Sequence, residues 1–313
     1  MSLIEFHRQM LGDSVRNAAL ARALKAAITP GVTTVSDIGS GTGVLGMLAE
    51  SFGALSVTLY ESGDVISLSK RIAKESGMKK CKFVRGYSMS VRHPERTDVV
   101  ISETLGNFAL EEHILETLQD ARKRFLKAGG TIIPCKLRQF VAPVIAPRLW
   151  NELSVWDRTD LGVDFSAAKD MSMHNLYVRR IGEDELLEGM TSAKIWDSID
   201  FTREEQSIRK GEARWNISHT ETVYGFAVWW EADLGSGITL STSPFQPPTH
   251  WEQMFLPVMP SLPCPAGSVL TLTIHSDTRM ETGVHVEWNA AVTNTEGTTF
   301  AKASMNMKKG FLG

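Results

Sequence analysis

At Pro134 the sequence changes its period, and that one transition excludes any single repeating architecture. Up to about residue 135, helical segments alternate with short apolar runs. Met10 to Lys25, Val44–Phe52, Val65–Ser76 and His113–Leu126 predict helices. Thr34–Ile38, Leu55–Tyr60, Lys82–Arg85 and Thr97–Ile101 predict strands. Gly129-Gly130 is expected to stop the last helix. Such alternation predicts a parallel sheet with helices on both faces. After Pro134 the segments Arg138–Val144, Ala193–Phe201, Arg214–Ile217, Tyr224–Glu231, Val269–Ile274, Val284–Val292 and Ala301–Met307 alternate with period two, which predicts a β-sandwich or barrel. The expected domains are therefore residues 1–134 and 135–313. Residues Trp156–Arg180 carry helical signals inside the β-rich half and are read as an insertion that serves contacts with another chain.

Composition narrows the function classes. The formal charge is −3, which disfavours a nucleic-acid partner. No apolar stretch approaches the roughly 20 residues of a membrane span, and no basic-then-apolar leader opens the sequence, so no membrane partner is expected. Cys81, Cys135 and Cys264 are too few and too scattered for a disulfide scaffold or a zinc site, so no metal is expected and a reducing, cytoplasmic setting is.

The first chemistry-bearing motif is Asp37-Ile-Gly39-Ser-Gly41-Thr-Gly43, between a predicted strand and a predicted helix. Glycine lets the backbone turn tightly and approach a ligand, and the helix start supplies free N–H groups. Gly41-Thr-Gly43-Val-Leu-Gly46 also fits the dinucleotide pattern, with Glu61 placed to receive ribose hydroxyls. The loop thus specifies an adenosine-containing cofactor without separating NAD from S-adenosylmethionine. An NAD-dependent oxidoreductase, and a non-catalytic binding module on the same fold, stay open at this point.

The second motif is Ser102-Glu103 through Glu112, after the fourth predicted strand. It puts carboxylates at the carboxyl end of a parallel sheet, where ligands bind in such folds. Glu103 and Glu112 can oppose each other across a glycine-containing loop. Two close carboxylates repel, and a cation between them removes the conflict. A guanidinium can be held bidentately, whereas an ammonium cannot. Glu111 reads as a helix-start acid. Trp215, Trp229 and Trp230 read as barrel core or interface, and His219, His275 and His285 as structural residues.

Together with Thr249-His250-Trp251, these motifs resemble those of the protein arginine methyltransferases, from about Met10 to about Met307. The resemblance implies a Rossmann-like methyltransferase domain followed by a β-barrel with a helical dimerisation arm, here Trp156–Arg180 starting near Leu161–Ser166, and a cis-proline at Pro134. It implies S-adenosylmethionine as cofactor, with Arg16 on its carboxylate and Asp37, Gly39, Gly41, Gly43 and Glu61 around it. The acidic residue expected against the adenine is replaced near Ser88 and Met89. Glu103 and Glu112 become the guanidinium clamp, and His250 pairs with Asp13 as a catalytic pair that, like Glu112, can accept the departing proton, here through water. Met10 and Trp251 would shape substrate and product. Leu105, Asn107 and Ile114 stand where asymmetric dimethylating members carry other residues. The resemblance also implies a long N-terminal helix with paired tyrosines over the cofactor, and this sequence begins too late to contain it. The acceptor implied is arginine in a peptide or protein, with free L-arginine or a small guanidino compound as the alternative. A homodimer is expected.

Overall fold

A computed structural model describes residues 3–311. Its first half contains α1 (Leu3–Gly12), α2 (Ser14–Ala27), β1 (Thr34–Ile38), α3 (Val44–Ser51), β2 (Ser56–Glu61), α4 (Ile66–Glu75), β3 (Cys81–Arg85), β4 (Thr97–Ile101), α5 (Ile114–Arg124) and β5 (Leu126–Ile133). The strands form one parallel sheet in the order β3-β2-β1-β4-β5. Val35, Val57, Leu59, Val99, Val100 and Ile101 are almost completely buried, as strands covered on both faces require. Strand order reverses between β1 and β4, which opens a crevice at their carboxyl ends.

Two expectations need correction. Met10 to Lys25 is not one helix. Asp13 takes an extended ψ of 93° and caps α2, so α1 and α2 are separate. Gly129-Gly130 does not end a helix, because α5 stops at Arg124 and both glycines lie inside β5. The register against β4 shifts between Thr97 and Val99, and Gly129, at φ +75°, absorbs the bulge.

The second half contains β6 (Lys136–Val144), α6 (Arg148–Leu153), α7 (Ser166–Met173), β7 (Tyr177–Arg179), β8 (Lys194–Asp200), β9 (Ile208–Asn216), β10 (Glu221–Asp233), β11 (Thr239–Ser241), β12 (Gln253–Cys264), β13 (Val269–Asp277), β14 (His285–Thr293) and β15 (Thr299–Asn306). One antiparallel sheet runs β7-β12-β10-β6-β8, with β11 beside β10, and the other runs β15-β14-β13-β9. β8 meets β9 and β12 meets β15, so the sheets close around Trp215, Phe226 and Trp288. The Ile133–Pro134 peptide between the two halves is cis.

The helical insertion starts earlier and ends earlier than the sequence suggested. α6 begins at Arg148, and Tyr177–Arg179 has already rejoined the sheet against β12. Met173 is buried in the core, whereas Leu161 and Val163 are 71% and 59% exposed.

Candidate active site

β1 ends at Ile38 and the chain turns through three left-handed glycines, Gly39, Gly41 and Gly43, at φ +70°, +52° and +82°. A Cβ on Gly39 would stand 2.7 Å from the Thr104 methyl, and one on Gly41 2.7 Å from the His7 ring, so the loop is closed in by its neighbours. Gly43 starts α3 without a side-chain cap. Asp37 lies behind the loop, where it accepts the Gly46 N–H at 2.8 Å. Burial pushes its carboxyl up to about 7, against the pull of that hydrogen bond. Glu61, at the end of β2, accepts the Gly41 N–H at 2.8 Å on one oxygen and the Gly63 N–H at 2.6 Å on the other.

Asp13 links three elements. One oxygen accepts the Arg16 N–H at 2.9 Å as the cap of α2. The other accepts the His250 N–H at 2.8 Å and lies 2.8 Å from His250 Nδ1. Burial pulls the Asp13 carboxyl upward, but the bonds from Arg16 and His250 outweigh it and hold it below the ordinary carboxylate value. One turn into α2, Arg16 turns its side chain to Glu103: Nε donates at 2.6 Å and Nη2 to the same oxygen, while Nη1 donates to Asn17 at 2.7 Å. Both side chains are buried, at 5% and 3% exposure, so this is an ion pair away from water.

The carboxylate loop follows β4. Glu103 Oε1 accepts the Leu105 N–H at 3.3 Å. Glu112 reaches the surface at the mouth of the cavity and makes no hydrogen bond among the described residues. The wall around its carboxyl removes water, and that, followed by the charges of Glu103, Glu111 and Glu61, raises its proton affinity. Glu111 is not a helix-start acid. α5 begins at Ile114, and Glu111 folds back to accept the Asn107 N–H at 2.9 Å, bracing the turn. Three donors from the β-domain grip the same turn: Trp251 Nε1 on Leu105 O at 2.9 Å, Trp230 Nε1 on Gly106 O at 3.0 Å, and Glu252 N on Asn107 Oδ1 at 2.9 Å. The two indoles meet edge to face at 5.0 Å.

These parts enclose a cavity of about 680 Å³. Met10, Arg16, Asp37, Gly39, Gly41, Glu61, Ser88, Glu103, Glu112, His250 and Trp251, all expected from the sequence, line it. Asp13, Gly43 and Met89 do not. Asp13 acts through His250, a Cβ on Gly43 would run into Ser69 behind the loop, and of the Ser88-Met89 pair it is Ser88 that forms the wall. Trp251 packs beside Arg16 and His250 and bonds the loop as well as facing the cavity.

Sequence reasoning missed α1 as a wall. Phe6, His7, Gln9, Met10 and Leu11 all line the cavity, so a ten-residue helix does lie over the glycine loop. His7 is 9% exposed, and its Nε2 is buried without a hydrogen-bond partner among the described residues. Burial lowers its pKa. The available signal was the spacing of His7 three residues before Met10 on one helix face.

Known proteins match this arrangement. Residues 138–291 match the arginine methyltransferase oligomerization subdomain. Protein arginine N-methyltransferase 6 of Xenopus tropicalis is 29% identical over 264 residues, covering 81% of this chain and 78% of its own length. Arginine N(omega)-methyltransferase of Streptomyces achromogenes subsp. streptozoticus is 29% identical over 277 residues, covering 86% and 75%. Among solved structures, the Trypanosoma brucei PRMT1 enzyme-prozyme heterotetrameric complex with AdoHcy superposes with a TM-score of 0.85 at 23% identity, over 96% of this chain and 98% of that one. Arabidopsis thaliana protein arginine methyltransferase 10, in an open conformation, gives 0.80 at 23% identity over 96% and 97%. At these identities the superpositions establish the fold.

Proposed function

We infer that the chain belongs to the protein arginine methyltransferase family and is an S-adenosylmethionine-dependent N-methyltransferase acting on the guanidino group of arginine. The observation that carries the reading is the Arg16–Glu103 pair. Glu103, nearly buried, already holds a guanidinium edge-on, at 2.6 Å to Nε and with Nη2 on the same oxygen. Its environment is built for that cation.

The residues present fit the cofactor. A cavity of about 680 Å³ runs from a glycine loop too closed for side chains to the carboxylate pair, and the buried His7 ring stands against Gly41 in that loop. Arg16 keeps N–H groups beyond those used by Glu103 and Asn17 and would take the cofactor's carboxylate. Glu61 would take the ribose hydroxyls, and Ser88 would lie against the adenine. The group supplies an electrophilic methyl on sulfur when bound. Everything else falls to the protein.

An arginine side chain is protonated in water, with a pKa of roughly 12.5–13.8, and its protonated form is a poor nucleophile. Glu103 and Glu112 hold opposite sides of the guanidinium and draw its charge away from the reacting nitrogen. Oriented contact at about 3–3.5 Å then replaces a bimolecular encounter. The proton has two exits. Glu112, whose proton affinity is already raised, can take it directly. The His250 ring, anchored by Asp13, can take it at the far nitrogen.

We favour arginine within a peptide or protein as the acceptor. Phe6, Leu11 and Tyr87 line the cavity while 53%, 46% and 38% exposed, an apolar rim on which an extended chain can lie. The free thiols suit a reducing cytoplasmic setting. Leu161 and Val163, projecting from the α6–α7 arm, suit a homodimer.

A screen with isotopically labelled S-adenosylmethionine against arginine peptides, a host proteome and free arginine tests the reading. Peptide labelling is expected. Glu103→Gln should lower turnover by about 10²–10³ with little effect on cofactor affinity. Labelling of free arginine alone would reverse the acceptor assignment, and tight NAD binding without a response to S-adenosylhomocysteine would remove the whole reading.

A further inference from the structure

Trp230 sits on β10, in the β-domain, and is 1% exposed. Hydrophobic packing alone does not explain an indole there, because its one polar atom is used across the domain seam. Nε1 donates at 3.0 Å to the carbonyl of Gly106, three residues past Glu103 and six before Glu112. That backbone turns tightly: Gly106 bridges to Ala109, itself at φ +66°, and Glu111 packs where a Gly106 side chain would stand. Buried Trp288 and Trp196, in the same domain, have indole nitrogens without partners among the described residues, so an indole donor here is not a general need of this core.

We propose that Trp230 is a positioning residue: its indole N–H, by holding the Gly106 carbonyl, fixes the turn that sets Glu103 and Glu112 opposite each other. The proposal rests on the reading that these carboxylates grip the acceptor guanidinium. Trp251 does the same for the Leu105 carbonyl, and the edge-to-face contact makes the two indoles one bracket. Loss of the Trp230 donor leaves a buried carbonyl unpaired and frees the turn to seek another partner. Displacement of a reacting group by about 1 Å can cost 10²-fold in rate.

The test is Trp230→Phe, with β-(3-benzothienyl)alanine at position 230 as an isostere that keeps the shape and lacks the N–H. Both should lower kcat on an arginine peptide by about tenfold to a hundredfold. S-adenosylhomocysteine affinity should stay within about twofold of wild type, because the cofactor side of the cavity is not touched. The acid limb of the kcat/KM profile should move downward as the charges of Glu103 and Glu111 draw away from Glu112. Trp288→Phe, the same truncation at an indole without a bond, should keep kcat and the profile. In a ¹⁵N spectrum of the wild type, the Trp230 indole hydrogen should exchange slowly with solvent. Full turnover from the benzothienyl variant, or rapid exchange of that hydrogen, overturns the proposal while leaving the methyltransferase reading intact. A wild-type protein that labels no arginine acceptor overturns both.

Discussion

Glu112 is the residue whose environment makes the sharpest demand. Enclosure raises its proton affinity above the ordinary glutamate value of 4.5, with Glu103, Glu111 and Glu61 adding to it. The proton-accepting form therefore exists only above that raised value and disappears as pH falls through it. The acid limb of kcat/KM should lie above 4.5, and the residual activity of Glu112→Gln should lack it. A limb at the ordinary carboxylate value would mean that Glu112 is solvated and that the Asp13–His250 pair carries the proton alone. Each of these residues could be picked from the sequence by chemical type. Their pairing could not. Arg16 and Glu103 stand 87 positions apart, and nothing local says that the arginine reaches the carboxylate. Trp230 read as barrel core or interface because the sequence shows an apolar neighbourhood and hides the carbonyl its N–H meets.

Among the elements, α1 and the glycine loop define each other. A methyl on Gly41 would press on the His7 ring at 2.7 Å, and the residue sits at φ +52°. Gly41→Ala should therefore lower S-adenosylhomocysteine affinity at least tenfold, measured by calorimetry. His7→Ala in the same chain should relieve the clash but not the left-handed backbone, whose cost is roughly 1–2 kcal/mol for a residue with a Cβ. Complete recovery in the double variant would mean that sterics alone set the loop. Legibility followed periodicity. β1 and β4 are short apolar runs between turn signals, and β13 and β14 alternate faithfully between buried and half-exposed positions. β12 escaped because Pro257, Pro260 and Pro263 interrupt its pattern, yet it pairs with β10 from Met254 to Cys264 by shifting register between Val223 and Gly225. The break between α1 and α2 escaped because Asp13 looks like one more polar position until its carboxylate is seen to cap.

At the scale of the whole molecule, charge is segregated. Nine basic and two acidic residues lie between Ile66 and Arg96, on the α4–β3 side, although the net charge of the chain is −3. The arm carries exposed Asp160, Asp164 and Asp170 around Leu161 and Val163. Light scattering should give about twice the chain mass of 34.6 kDa at low salt. Leu161→Glu with Val163→Glu should give the single-chain mass without unfolding, since both side chains stand in solvent. Rising ionic strength should weaken the dimer, because charges further apart than about 8 Å are screened at physiological salt. A wild-type chain that stays monomeric at every salt concentration would remove the dimer.

The seam between the two halves has a consequence for inheritance. Asp13 meets His250, and Leu105, Gly106 and Asn107 meet Trp251, Trp230 and Glu252, so neither half holds a finished site. A chimera that joins this parallel-sheet half to a relative's barrel would fold and bind cofactor, yet transfer methyl groups only where the foreign barrel presents a donor to each of those three loop positions. Recombination can exchange the α6–α7 arm without touching these contacts. The two halves of the seam have to travel together.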